Sequence, residues 1–247
     1  MRLEQIVAVA ALVLVAHATV PWCVRADDEA CRDDLSDTEV HARLASLELV
    51  VDQGTVSSRW WWWGWLAALS AIAIAQTTIA IGTSDRPTRV DMVVGAIVGW
   101  LGVAATAVFP LESAFARGRL DDALERTPAE RLAKLRLAEQ TVASASDGQA
   151  FGVSWVPHTL NLTVAIGSGL YLWLAEERLV SGLVQTGATI VVAEAQILTQ
   201  PTSARDGWAA YRARYRTLAC RPAAARPQQV QVALGVAPGG VGLSLRW

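Results

Sequence analysis

Apolar residues in this chain follow two patterns, long unbroken runs and stripes at helical spacing. A helix rising 1.5 Å per residue needs roughly 20 apolar residues to cross a bilayer. Four runs come close to or reach that length, over residues 60–82, 92–109, 155–174 and 179–198. The first opens with Trp60, Trp61, Trp62, Trp63, Gly64 and Trp65, and indole rings favour the headgroup boundary. The second carries Gly95-x-x-x-Gly99 and Gly102, a small-residue face that permits close helix approach. Pro157 stands in the first turn of the third run, where its missing N–H costs little. Residues 83–91 separate the first two runs and residues 175–178 the last two. The pattern predicts an all-α membrane protein with four transmembrane helices in two helical hairpins, hence a bundle.

Stripes mark the segments between. Ser36-x-x-Glu39 is a capping box, and Val40, Leu44, Leu47 and Val51 follow at helical spacing, with Gly54 as the expected stop. Thr127-Pro128-Ala129-Glu130 has the same form, and Leu132, Leu135 and Val142 share a face. Residues 112–126 read as a helix continuing from the second span. These amphipathic extramembrane helices are expected to pack as a small cap. At the end of the chain the period changes to two on both sides of Pro238-Gly239-Gly240, which predicts a small C-terminal β-hairpin.

Residues 1–26 read as a secretory signal peptide: Arg2, an apolar run over 6–20, then Val24-Arg25-Ala26 as a small-x-small cleavage site. The expected organisation is then an extracytoplasmic amphipathic helix (27–58), transmembrane hairpin 1 (59–111) and an extracytoplasmic helical connector (112–154). Transmembrane hairpin 2 (155–198) and an Arg-rich segment with the β-hairpin (199–247) follow. The signal and the short loops holding Arg86, Arg89 and Arg178 place the long segments in the periplasm and the protein in the bacterial inner membrane. Cys31 and Cys220 then share an oxidising compartment, which favours a disulfide between them.

Composition agrees with this reading. The chain is 53% hydrophobic and 18% charged, whereas globular domains average about 25% charged. The 21 basic and 23 acidic residues leave a net charge of −2. That removes the basic footprint of a nucleic-acid binder. No HExxH, GxSxG, GxGxxG or P-loop lysine occurs. The expectation is therefore a non-enzymatic protein without cofactor or metal.

Polar residues inside the apolar runs are candidate functional groups: Gln76, His158, Asn161, Gln185, Thr189 and Glu194. Ser181, Gln185 and Thr189 form a polar stripe, and His158 is a candidate partner of Glu194 or Glu112. Most of these groups are expected to serve interhelical hydrogen bonding. Arg205, Arg212, Arg214 and Arg216 alternate with Trp208, Tyr211 and Tyr215, which suits contact with lipid headgroups or, equally, packing on the acidic N-terminal stretch.

The run Glu194-Ala-Gln196-Ile-Leu-Thr199-Gln200-Pro201-Thr202, the motif Trp155-x-x-His158-x-x-Asn161 and the Pro-Gly-Gly hairpin resemble those of multi-pass envelope membrane proteins of myxobacterial type. The resemblance implies no particular activity. Two roles follow from the residues: a structural or interaction component of the cell envelope, partnered by lipids and by an envelope protein or a second copy, or a small-solute or ion transporter using the polar helix faces.

Overall fold

The computed structural model describes residues 35–215 together with the backbone of two strands, 231–237 and 240–246. The expected signal peptide, the Cys31–Cys220 disulfide and Arg216 lie outside the described residues. The helices belong to one compact unit and the strands to another.

The helical unit begins with α1 (Asp37–Gly82), a single helix of 46 residues, about 69 Å long at 1.5 Å per residue. Ser36 caps it by accepting a hydrogen bond from the Glu39 N–H at 3.3 Å. Gly54 does not end the helix, contrary to the expectation from sequence. It lies buried in α1, where a Cβ would stand 3.0 Å from Ser203 Oγ, so its small size serves close packing. Asp85 caps α2 (Arg86–Val108) through the Thr88 N–H. Its carboxyl is held below the ordinary carboxylate range by that hydrogen-bonding.

The connector after α2 also differs from the expected continuous helix. Pro110 cannot donate to a helical ladder, and the chain breaks into a 3₁₀ turn (Glu112–Ala114) and a short helix, α3 (Ala116–Asp121). α4 (Pro128–Gly152) starts at a complete capping box, with Thr127 and Glu130 each bonded to the other's backbone. α5 (Trp155–Leu174) and α6 (Leu179–Leu198) form an antiparallel hairpin whose turn places Glu177 at φ 58°. Here glycine is required for contact: a Cβ on Gly182 would stand 2.5 Å from the Gly169 carbonyl oxygen. α7 (Ser203–Arg214) completes the unit.

Two regions result. The N-terminal half of α1, the 3₁₀ turn, α3, α4 and α7 form a helical cap. Its core joins Val40, Leu44, Leu47 and Val51 of α1 to Leu120, Leu135, Ala138, Val142, Trp208 and Tyr211. Below it run two hairpins, the C-terminal half of α1 with α2, and α5 with α6. Their turns meet at the end remote from the cap, where Arg178 Nη2 reaches Asp91 Oδ2 at 2.7 Å and Arg86 Nη2 reaches Glu176 Oε2 at 3.5 Å.

The expected four-span membrane fold is corrected by these observations. The described helical unit is 86% helical and contains no strand. Two of its helices, α1 and α2, are long and apolar enough to cross a membrane. α5 and α6 have the length, but Pro157, His158 and Asn161 dilute the apolarity of one, and Gln185, Glu194 and Gln196 that of the other. In the separate unit, β1 (Gln231–Ala237) and β2 (Gly240–Arg246) pair antiparallel, with Gln231 opposite Arg246 and Ala237 opposite Gly240.

In the apolar windows of α1 and α2, only 17% and 22% of the residues are buried. A core helix of a water-soluble protein would hide most of such a surface.

Candidate functional site at the junction of cap and hairpins

A layer of hydrogen bonds joins every major helix where the cap meets the hairpins. Ser58 of α1 and Ser113 of the 3₁₀ turn share a 2.8 Å hydroxyl contact, and both are buried. Thr55 donates to the Ser113 carbonyl at 3.2 Å, and Arg59 Nε donates to the Ala114 carbonyl at 2.8 Å. Gln149 of α4 is also buried. It donates to Ser113 Oγ at 3.3 Å, accepts from the Arg205 backbone N–H at 3.0 Å, and offers its carbonyl to Gln200 Nε2 at 3.1 Å. Buried polar groups need such partners, because an unpaired one costs about 1–3 kcal/mol.

One turn lower, the indoles take over. Trp62 Nε1 donates to the Thr106 carbonyl at 2.8 Å, while Gln196 Nε2 donates to the Thr106 hydroxyl at 3.1 Å. Trp61 and Trp65, four residues apart on α1, both donate to Thr199 Oγ1 at 3.1 Å. The tryptophan run thus ties α1 to α2 and to the end of α6.

His158 and Glu194 meet in this layer. Nδ1 of the imidazole lies 2.8 and 2.9 Å from the two carboxylate oxygens, joining α5 to α6. Their side chains are 37% and 34% exposed. Of the two partners the sequence offers His158, Glu194 is the one in contact. The other polar candidates are dispersed. Gln76 lies against Gly95 and Gly99 between α1 and α2, its Oε1 buried without a hydrogen-bond partner. Asn161 is half-buried on α5. Gln185 donates to Thr189 of its own helix at 3.2 Å.

The arginine-rich helix turns its aromatic side inward: Trp208 and Tyr211 are buried in the cap, whereas Arg205, Arg212 and Arg214 are exposed. Arg212 lies over the Trp208 ring and Arg214 over the Tyr215 ring. Deep in the cap, Tyr211 donates a hydrogen bond to the buried carboxylate of Glu139. Burial, and then the adjacent Glu139 charge, push the phenol above its ordinary range. Lys134 bridges Glu48 and Glu125 at 2.9 and 2.8 Å. Burial opposes its charge, yet the two carboxylates outweigh it and raise its pKa.

Sequence reasoning missed the Ser58–Ser113–Gln149 layer, the Glu139–Tyr211 bond and the Asp91–Arg178 pair. Signals for two of them were present. Glu139 follows Leu135 by four residues and so interrupts the apolar face of α4, and Asp91 and Arg178 are opposite charges beside the two short turns. Ser58 and Ser113 carry no such signal.

No family model, curated protein or solved structure matches this chain.

Proposed function

We propose that this protein is a non-enzymatic scaffold of the bacterial cell envelope, anchored in the inner membrane by the α1–α2 hairpin and presenting its helical cap to the periplasm. The observation that carries this reading is the continuity of α1. One helix supplies the cap core with Leu44 and Leu47 and then enters an apolar segment that is 17% buried. The hydrogen-bonded layer below the cap fastens α2, α4, α6 and α7 to that helix. Such a joint holds an extramembrane surface at a fixed attitude to the bilayer, which suits a platform for a partner protein. Polar residues of α6 are satisfied within the helix or against α5 and α2, as Gln185 with Thr189, Thr186 with the Ala165 carbonyl and Gln196 with Thr106 illustrate. That use favours packing over a solute path.

Affinity purification after mild cross-linking in the native host tests the role. A stoichiometric envelope partner is the expected result, and recovery of the protein alone overturns it. Reporter fusions at residue 140 test the orientation: activity of a periplasmic reporter is expected, and activity of a cytoplasmic one reverses the placement of the cap.

A further inference from the structure

Two glycines of α1 meet opposite surroundings. Gly54 is covered by α7, with Ser203 Oγ within 3.0 Å of a Cβ position. Gly64 lies 10 residues on, about 80° round the helix at 3.6 residues per turn, and a Cβ there would meet nothing within 4 Å. Its missing side chain leaves a shallow, largely open notch of about 220 Å³ lined by Trp60, Trp61, Trp65 and Ala68. We propose that this notch binds one acyl chain of a membrane phospholipid and so holds a resident lipid against α1 at the cap-side boundary of the bilayer.

The proposal rests on the membrane reading given above, and three observations favour an acyl chain as occupant. First, the indole N–H groups of Trp61 and Trp65 are both spent on Thr199 Oγ1. Their rings therefore offer the notch carbon surface, which suits hydrocarbon, and of the lining indoles Trp60 alone has no hydrogen-bond partner among the described residues. Second, the notch continues the exposed apolar face of α1, at the end where the tryptophans suit the headgroup boundary. Third, its volume lies below the roughly 300–1,000 Å³ of pockets that enclose a whole small molecule, but it accommodates a length of chain.

The full chain reconstituted in phosphatidylethanolamine/phosphatidylglycerol vesicles, with a trace of phospholipid carrying a diazirine on its acyl chain, provides the test. Labelling is expected to concentrate several-fold on the peptide containing residues 60–68, and to fall to the level of other exposed apolar positions, such as Ile81 and Val180, in Gly64→Leu. Open space at Gly64 lets this variant fold, which an unchanged helical circular dichroism spectrum and melt would verify. Even labelling of all exposed apolar faces, unaffected by Gly64→Leu, overturns the notch while leaving the membrane reading intact. Failure of the wild-type chain to float with the vesicles overturns both. Cross-linking of two copies through cysteines placed at position 64, with loss of lipid labelling, assigns the notch to a second copy and also overturns the proposal.

Discussion

The two halves of α1 solve opposite packing problems with one continuous backbone. In the cap half, Val40, Leu44, Leu47 and Val51 point into a core, while His41, Asp52, Gln53 and Ser57 are exposed. In the hairpin half the outward face is apolar as well. Ile72, Ile74, Ile79 and Ile81 are exposed, while Thr77 bonds back to its own helix at 2.7 Å. Hydrophobic burial drives folding only where the alternative is water; an apolar surface left open makes physical sense where the alternative is lipid. On the membrane reading proposed above, the solvent changes along this helix, and the layer of Ser58, Ser113, Gln149 and the indoles marks where it does.

Truncating the two regions should break that comparison most sharply. Leu47 has no exposed surface, and Leu47→Ala should cost about 2–5 kcal/mol through the cavity it leaves. Val180, exposed on α6, should tolerate alanine within about 0.5 kcal/mol. Thermal melts of the detergent-solubilised chain would measure both. Similar losses at the two sites would mean that the hairpins bury more than the helical unit shows.

Next in size comes the buried polar bond of the cap. Tyr211→Phe removes the donor to Glu139 and should cost about 1–3 kcal/mol. Its pH dependence has a definite sign. Tyr211 holds its proton more tightly when folded, because burial and Glu139 raise it from an ordinary value of 10.0. Cap stability is therefore complete below about pH 10 and falls as the pH rises further, since the unfolded chain loses the proton first. Lys134, also raised from its ordinary 10.5, adds a loss of the same sign. Melts across this alkaline range should show a shallower decline in Tyr211→Phe than in wild type. An identical slope would remove Tyr211 as a cause.

A smaller effect is expected at the remote turns. Asp91 and Arg178 are 23% and 27% exposed and lie 2.7 Å apart, between the surface pair worth about 0–1 kcal/mol and the buried pair whose rupture costs about 3–5. Asp91→Asn, which retains the contact with Ser181 Oγ in reach, should cost about 1–2 kcal/mol on that scale. It should also speed protease cleavage at residues 175–178, as the hairpins part. Unchanged cleavage would show that the turns do not depend on this bond.

How far the sequence carried this architecture depends on which interaction is asked about. Capping chemistry is local, so Ser36, Thr127 and Glu130 announced their helices, and the bounds of α5 and α6 followed from their apolar runs. Gly54 misled because a helix stop and a close-packing site both select glycine, and only the distant Ser203 distinguishes them. The connector misled although Pro110 marks a local break, and nothing local states the packing that places Ser113 and Ala114 inside the cap. Counting four equivalent spans failed for a related reason: run length was weighed above the polar residues that separate α5 and α6 from α1 and α2. The Ser58–Ser113–Gln149 layer joins residues 36 to 91 positions apart, and nothing local to a serine states which partner it will meet.

His158 and Glu194 offer the finest test of where the solvent boundary lies. Both are more than a third exposed, so the pair's worth depends on what surrounds its open side. If water or headgroups reach it, a double-mutant cycle with His158→Ala and Glu194→Gln should yield a coupling of about 0.2–1 kcal/mol, as for exposed ion pairs. That coupling should shrink with added salt, because exposed charges are screened over about 8 Å at physiological ionic strength. A coupling well above this range and indifferent to salt would place the pair in hydrocarbon. The boundary drawn by the tryptophans of α1 would then have to move toward the cap.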